Sequence, residues 1–176
     1  MTTKIPARLN EVDIAAVGGL IEAVQKDSAT AETIWAAKVV WNGGFRSEAR
    51  IREFAPIPSD EPAGLGGDDS APNPVEQLLA SLGNCLAVGY ASNATALGID
   101  LDSLEIDLEG DLNLQTFLGL DDDGHAGYQG IRADVHIESD ASQEQIDVLH
   151  AKVVGTSPVG HTLSRAIEVN IDITTV

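Results

Sequence analysis

The stretch Asn73 to Gly98, NPVEQLLASLGNCLAVGYASNATALG, carries the longest helical pattern in the chain and its only cysteine, Cys85. Asn73 before Pro74 reads as a helix start. The Asn side chain can accept from an orphan backbone N–H, and proline at the first helical position has its φ preset and no N–H to lose. Gly98 reads as the stop, because glycine takes the left-handed conformation that closes helices. About 24 residues at ~1.5 Å rise make a rod roughly 36 Å long. Val75, Leu78, Leu79, Leu82, Cys85, Leu86 and Gly89 recur at spacings of three and four and form one apolar face, expected in the core. Ala80, Ser81, Gly83, Ala87, Gly89, Ala91 and Ser92 thin most of the remaining surface. Such a rod is expected to pack against a sheet and against a second helix, which a second subunit can also supply.

The other elements follow from period and punctuation. Asn10 to Lys26 reads as an amphipathic first helix, weakened by Gly18-Gly19. Thr33–Trp41 and Phe45–Phe54 read as two strands joined at Asn42-Gly43-Gly44, residues that tolerate positive φ. Arg46, Arg50 and Arg52 at even spacing are expected on one face of the second strand. Residues 55–72, rich in Pro and Gly, read as an ordered loop feeding the central helix. Leu104, Ile106, Leu108 and Leu112 alternate with acidic residues, as Ile131, Ala133, Val135 and Ile137 alternate with polar ones, so 115–130 is the long connection of an antiparallel pair. Asp140 is expected to cap a helix over Ala141–Val154 that Gly155 ends, with Ile146, Leu149 and Val153 inward. Ser157-Pro158 repeats the cap-plus-proline start of a short helix to Arg165, and Ile167, Val169, Ile171 and Ile173 read as a last strand. Paired strands without regular βαβ alternation define an α+β class with a mostly antiparallel sheet. At 176 residues the chain is expected to form one domain, with 1–31 as an N-terminal helical extension.

Composition narrows the partners. The chain has 28 acidic and 10 basic residues, a net charge of −18. Nucleic acid and anionic membranes need clustered Lys and Arg, so neither is expected as a partner. No apolar run approaches the ~20 residues of a membrane span. A single cysteine excludes an internal disulfide, and no charged-then-apolar secretory signal precedes the first helix, so a cytoplasmic location is expected. The acidity fits a halophilic chain in a high-salt cytoplasm, where screening removes self-repulsion, and equally an ordinary acidic soluble protein. The halophilic reading expects the melting temperature to fall on dilution into low salt; an unchanged value contradicts it.

Two readings of Cys85 stand. As a residue on an apolar stripe it fits an inert core position. As a nucleophile it needs a cation from another element, because it lies about eleven residues past Pro74 and outside the reach of the helix dipole. Arg46 is the candidate, with Arg50 and Arg52 behind it; a solvated strand face paired with carboxylates explains these arginines as well. His125, His136, His150 and His161 show no paired metal spacing, and His136 and His150 read as surface positions. Asp121-Asp122-Asp123-Gly124 lacks the alternating ligands and closing Glu of a calcium loop and reads as a solvated turn. Ser164 has no nucleophile elbow, and no phosphate-binding glycine motif occurs. No cofactor or metal is expected.

Asp60-Glu61-Pro62, LGGDDSAPNPVEQLLASLGNCL at 65–86, GID at 98–100, EGDL at 109–112 and SPVGHTL at 157–163 together resemble the OsmC/Ohr superfamily. The resemblance runs from about Trp35 onward, and the FLGL and YQGI segments are similar to a less-characterised branch of it. It implies an intertwined homodimer in which sheets wrap two long central helices, and a reduction of organic or fatty-acid hydroperoxides. In that chemistry one cysteine attacks the peroxide, a second resolves the sulfenic acid as a disulfide, and an arginine with a glutamate polarises the first thiol. Cys85 matches the attacking cysteine and Arg46 the arginine. Two positions depart: the second cysteine falls at Ser157, and the glutamate after Asn-Pro falls at Val75, with Glu76 one place later. A two-cysteine cycle is therefore closed to this chain, and Ser157 has a sufficient explanation as a helix cap. Two functions remain open. One is a one-cysteine hydroperoxide reductase in oxidative-stress defence, with Cys85 as nucleophile, Arg46 as thiolate stabiliser and an external thiol as reductant. The other is a non-enzymatic dimer that binds a small hydrophobic ligand, Cys85 only lining its pocket.

Overall fold

The computed structural model describes residues 9–175, and residues 1–8 of the expected N-terminal extension lie outside the described part. The elements run α1 (Ile14–Lys26), β1 (Lys38–Trp41), β2 (Ser47–Arg50), β3 (Ile57–Ser59), α2 (Pro74–Leu97), β4 (Ser103–Leu112), α3 (Leu114–Phe117), β5 (Tyr128–Glu138), α4 (Gln143–Thr156) and α5 (Pro158–Ser164). This is the α+β class expected, with sheets β1-β2-β3 and β4-β5. No described helix is long and apolar enough to cross a membrane. The chain divides into two compact units, one of residues 9–12, 82–107 and 134–175, the other of 13–81 and 108–133.

The central helix begins and ends where its sequence says. Asn73 Oδ1 accepts from Glu76 N at 2.9 Å, and the Glu76 carboxylate accepts from Asn73 N at 2.8 Å. This reciprocal capping box satisfies two donors at the helix start. Gly98 closes the helix at φ 74°.

In the unit holding the C-terminal part of α2, Tyr90, Ala94, Ile99, Leu149 and Val153 form the buried core, with half-buried Leu86, Leu104, Ile106, Val135, Ile137 and Ile146 around it. The helix is thus packed in this unit between strand side chains and α4, but of the apolar face expected in the core only Leu82 is buried and Leu78 is exposed, the burial falling instead on Tyr90, Ala94 and Thr95 nearer its C-terminus. Each fully buried Leu or Val contributes about 1.5–3 kcal/mol. A Cβ on Gly89 would lie 2.9 Å from Val153 Cγ1, so the absent side chain lets α4 approach closely. Asn10, at φ 51°, donates to Thr95 Oγ1 and to the Ile99 carbonyl and accepts from Leu101 N. It ties the residues before α1 to the end of α2.

α4 corrects the expected cap. Ser142, not Asp140, starts the helix, accepting from Gln145 N while the Gln145 side chain accepts from Ser142 N. Serine with glutamine three residues on satisfies two orphan donors, which Asp140 alone does not. Gly155 does not end the helix, which runs on to Thr156. His150 is exposed as expected, and it also hydrogen-bonds the hydroxyl of buried Tyr90 and stacks on it at 6.1 Å between centroids. Burial holds the Tyr90 phenol above its ordinary range.

In the other unit the Asn42-Gly43-Gly44 turn joins β1 and β2 with Trp41 opposite Ser47, the two glycines at φ 90° and 59°. The strands are shorter than the apolar runs predict, and the three arginines do not share a strand face. Arg46 sits in the turn, its N–H bonded to the Gly43 carbonyl, and Arg52 lies beyond β2 at φ 49°. The loop before α2 contributes the unexpected edge strand β3, paired with β2 through Ala49 opposite Ile57. Asp60, 1% exposed, then accepts from Glu61 N, Asp68 N, Ser70 N and the Ser70 hydroxyl. The Ser70 hydroxyl is the main reason the Asp60 carboxyl stays below its ordinary range. Four bonds to one carboxylate order a loop that composition alone marks as loose.

In β4 alternate residues are half-buried as expected. Antiparallel pairing with β5 places Arg132 against Glu109 and Asp111, and His136 against Asp107. Two further expectations change. α1 has no buried residue, and Leu20 and Ile21 are more than half exposed. Residues 165–175 form no strand, and Ile171 and Ile173 are each 89% exposed. An alternating stripe becomes a strand only where a neighbouring edge supplies hydrogen bonds, and the described chain offers residues 165–175 none.

Candidate functional site

Cys85 stands in the middle of α2, half-buried, where the apolar stripe of the helix meets α4 and the start of α5. It lines an open groove of about 370 Å3 together with Val88, Gly89, Val153, Ser157 and Pro158. Three polar side chains also border this groove, and each is committed to a helix carbonyl. Asn93 Nδ2 donates to Gly89 O at 2.8 Å, Ser92 Oγ to Gly89 O at 3.3 Å, and Thr156 Oγ1 to Lys152 O at 2.8 Å. With those donors engaged, the surface offered beside the thiol is mainly hydrocarbon.

Ser157 completes the site. It is 5% exposed, and its Oγ lies 3.3 Å from Cys85 Sγ. The same oxygen accepts from Gly160 N at 3.1 Å and so caps α5, as the Ser-Pro pair predicts. The position to which the family resemblance assigns a second thiol is therefore in contact with the first. Sequence spacing gives no sign of this contact, since the two residues are 72 apart.

Arg46 lies in the other compact unit, in the β1–β2 turn, where its guanidinium forms a salt bridge with Asp68. Both partners are largely exposed. Glu76 lies in that unit too and spends its carboxylate on the helix cap. Its charge also helps to raise the Tyr128 phenol above its ordinary range, after the larger effect of burial. Tyr128 donates to the Val75 carbonyl at 2.9 Å. Among the described residues no group of His, Cys, Asp and Glu is arranged to hold a metal ion.

Comparison with known proteins finds the same family as the motifs do. Residues 67–172 match the family described as OsmC-like protein. Among solved structures, the chain is similar to an OsmC-like protein from Mycoplasma pneumoniae, with 22% identity, a TM-score of 0.65 and coverage of 76% of this chain and 89% of that one. An organic hydroperoxide resistance protein OsmC from Legionella pneumophila matches at 19% identity and TM-score 0.58, over 75% of this chain and 91% of its own. An organic hydroperoxide resistance protein from Elizabethkingia anophelis with bound thiocyanate matches at 16% identity and TM-score 0.54, over 74% and 89%. At such identities these likenesses establish the fold alone. Comparison with curated proteins finds no match.

Proposed function

This chain belongs to the OsmC-like protein family, and from that membership we propose that it reduces organic hydroperoxides through a single cysteine, Cys85. The observation that carries the reading is the half-buried thiol on a mainly apolar groove whose bordering Ser92, Asn93 and Thr156 donate to helix carbonyls. An apolar wall beside a sulfur favours an alkyl or aryl hydroperoxide over hydrogen peroxide, because burying the hydrocarbon contributes about 25 cal/mol per Å2.

The chemistry closes with one thiol and an outside reductant. The Cys85 thiolate attacks the terminal peroxide oxygen, the O–O bond breaks, and the alkoxide leaves as the alcohol after taking a proton. Sulfur is oxidised to the sulfenic acid while the peroxide is reduced by two electrons. A small external thiol then attacks that sulfur and releases water, forming a mixed disulfide. A second external thiol frees Cys85 and leaves as the external disulfide. The chain has no second cysteine, so without that reductant the sulfenic acid proceeds to irreversible oxidation. Arg46, anchored by Asp68, is the cation proposed to favour the thiolate.

The assembly proposed is a homodimer of single OsmC-like domains, with 1–31 as an extension. The matched span 67–172 draws on both compact units, which supports one domain. Trp35, Trp41, Ile171 and Ile173 are each more than 70% exposed. So much bare apolar side chain supports a second copy as its cover. The single cysteine supports a reducing, cytoplasmic setting, and the scarcity of Lys and Arg supports a protein without nucleic-acid or anionic-membrane partners.

The second reading, a non-enzymatic binder of small hydrophobic ligands, is favoured by Ser157 and Val75, which stand where the resemblance expects the resolving thiol and the glutamate. The two are separated by the second-order rate of Cys85 oxidation by cumene hydroperoxide. The enzyme reading expects a rate far above that of free cysteine, abolished in Cys85→Ser and slowed about ten-fold or more in Arg46→Ala. The binding reading expects free-cysteine reactivity and equal uptake of a fluorescent fatty acid by Cys85→Ser.

A further inference from the structure

Ser157 is fixed in a geometry that leaves its proton one destination. A hydroxyl has one donor and two acceptor sites. One acceptor site of the Ser157 oxygen is filled by Gly160 N at 3.1 Å, and the only other partner of that oxygen among the described residues is Cys85 Sγ at 3.3 Å. A thiolate has no proton to give, so once Cys85 is ionised the bond between the two can run only from serine to sulfur. Ser157 as a residue is 5% exposed, which limits the water that can compete for its hydroxyl. A hydrogen bond to an ionised acceptor is roughly twice as strong as a neutral one, so the serine proton is a strong partner for the sulfur in its nucleophilic form.

We infer that Ser157, standing at the position of the absent second thiol, is the hydrogen-bond donor to the Cys85 thiolate and helps to ready the nucleophile. This rests on the reading of Cys85 as a reactive thiol and adds a residue that reading does not use. The serine thereby serves two ends of one geometry: its lone pair starts α5 and its proton serves the sulfur. The Gly160 N–H, by donating to the oxygen, also makes the hydroxyl a better donor, as linked hydrogen bonds polarise one another.

The test is alkylation of the single cysteine by iodoacetamide at pH 7 and at pH 9.5, a reaction that needs no peroxide. The variants are Ser157→Ala, Ser157→Gly, which keeps most of the helix cap, and Ser157→Thr, which keeps both cap and donor. The inference expects Ala and Gly to react about five- to ten-fold more slowly than wild type at pH 7. At pH 9.5 they react equally fast or faster, because a thiolate relieved of a donor is more nucleophilic. Thr stays within about two-fold of wild type at both, allowing for its extra methyl group. Equal rates at pH 7 overturn the inference, as does an equal slowing at both pH values, which reports altered access. If wild type and variants follow the expected pattern while cumene hydroperoxide oxidises wild type no faster than free cysteine, the donor role stands and the hydroperoxide reading falls.

Discussion

In Ser157→Cys, one equivalent of organic hydroperoxide consumes both thiols and closes a disulfide between Cys85 and the introduced sulfur, whereas the native chain gains one oxygen on its only thiol. The expectation follows from the 3.3 Å between Cys85 Sγ and Ser157 Oγ. A disulfide is about 2.05 Å long, so the sulfur atoms need close by only a little over 1 Å, within the play of side-chain torsions. The new bond spans 72 residues, and by loop-closure entropy it stabilises the fold by roughly 4 kcal/mol. Loss of the serine cap on α5 offsets about 1 kcal/mol of this. The net effect raises the melting temperature of the oxidised variant by roughly 8 °C over the native chain. Intact mass shows the outcome as the loss of two hydrogens in the variant against the gain of oxygen in the native chain. With a dithiol reductant the variant turns over repeatedly without sulfinic acid accumulating. Two thiols that both remain titratable after oxidant treatment contradict the contact on which the site is built.

Asn10→Ala lowers stability by about 3–4 kcal/mol, the second large effect. Its side chain makes three hydrogen bonds, to Thr95 Oγ1 at 3.1 Å, the Ile99 carbonyl at 2.9 Å and Leu101 N at 2.9 Å. Thr95 is fully buried, so what remains after truncation is not rescued by water. Three bonds at about 1 kcal/mol each give the larger part. The backbone gives the rest, because Asn10 stands at φ 51°, where alanine costs roughly 1 kcal/mol and asparagine is tolerated. The expected fall in melting temperature is about 10 °C. Asn10→Gly separates the contributions, since glycine adopts that φ freely and loses only the bonds. A loss below 1 kcal/mol in the alanine variant contradicts the clamp.

What the sequence makes legible here is local. Asn73-Pro74 and Gly98 bound α2 to the residue because caps are short-range hydrogen bonds between near neighbours. Ser157-Pro158 marks the start of α5 for the same reason. The Asn-Gly-Gly turn is read equally well, since positive φ is a property of the residues themselves.

Long-range polar contacts are not legible. Nothing near Asn10 points to residues 95–101, nothing near Tyr90 to His150, and nothing around Asp60 announces a carboxylate that gathers Ser70 and two backbone amides across the loop. Arg46 shows how period alone misleads: even spacing placed it on a strand with Arg50 and Arg52, but β2 is only four residues long and the turn claims Arg46. The alternating isoleucines at 167–173 state that a face is to be covered without stating by what. Of the site, Cys85 was readable as a lone thiol on an apolar stripe. Its contact with Ser157 is implied by the family resemblance but not by spacing, and it forms because α4 returns the chain to the middle of α2.

The most direct measurement is the second-order rate at which cumene hydroperoxide oxidises reduced protein in high salt, taken beside Cys85→Ser and Arg46→Ala. A one-cysteine hydroperoxide reductase predicts rapid loss of the single thiol, no reaction in Cys85→Ser, a slower one in Arg46→Ala, and recovery of the thiol by an external reductant. A rate no greater than that of free cysteine contradicts the catalytic account and leaves Cys85 as part of the wall of a binding groove.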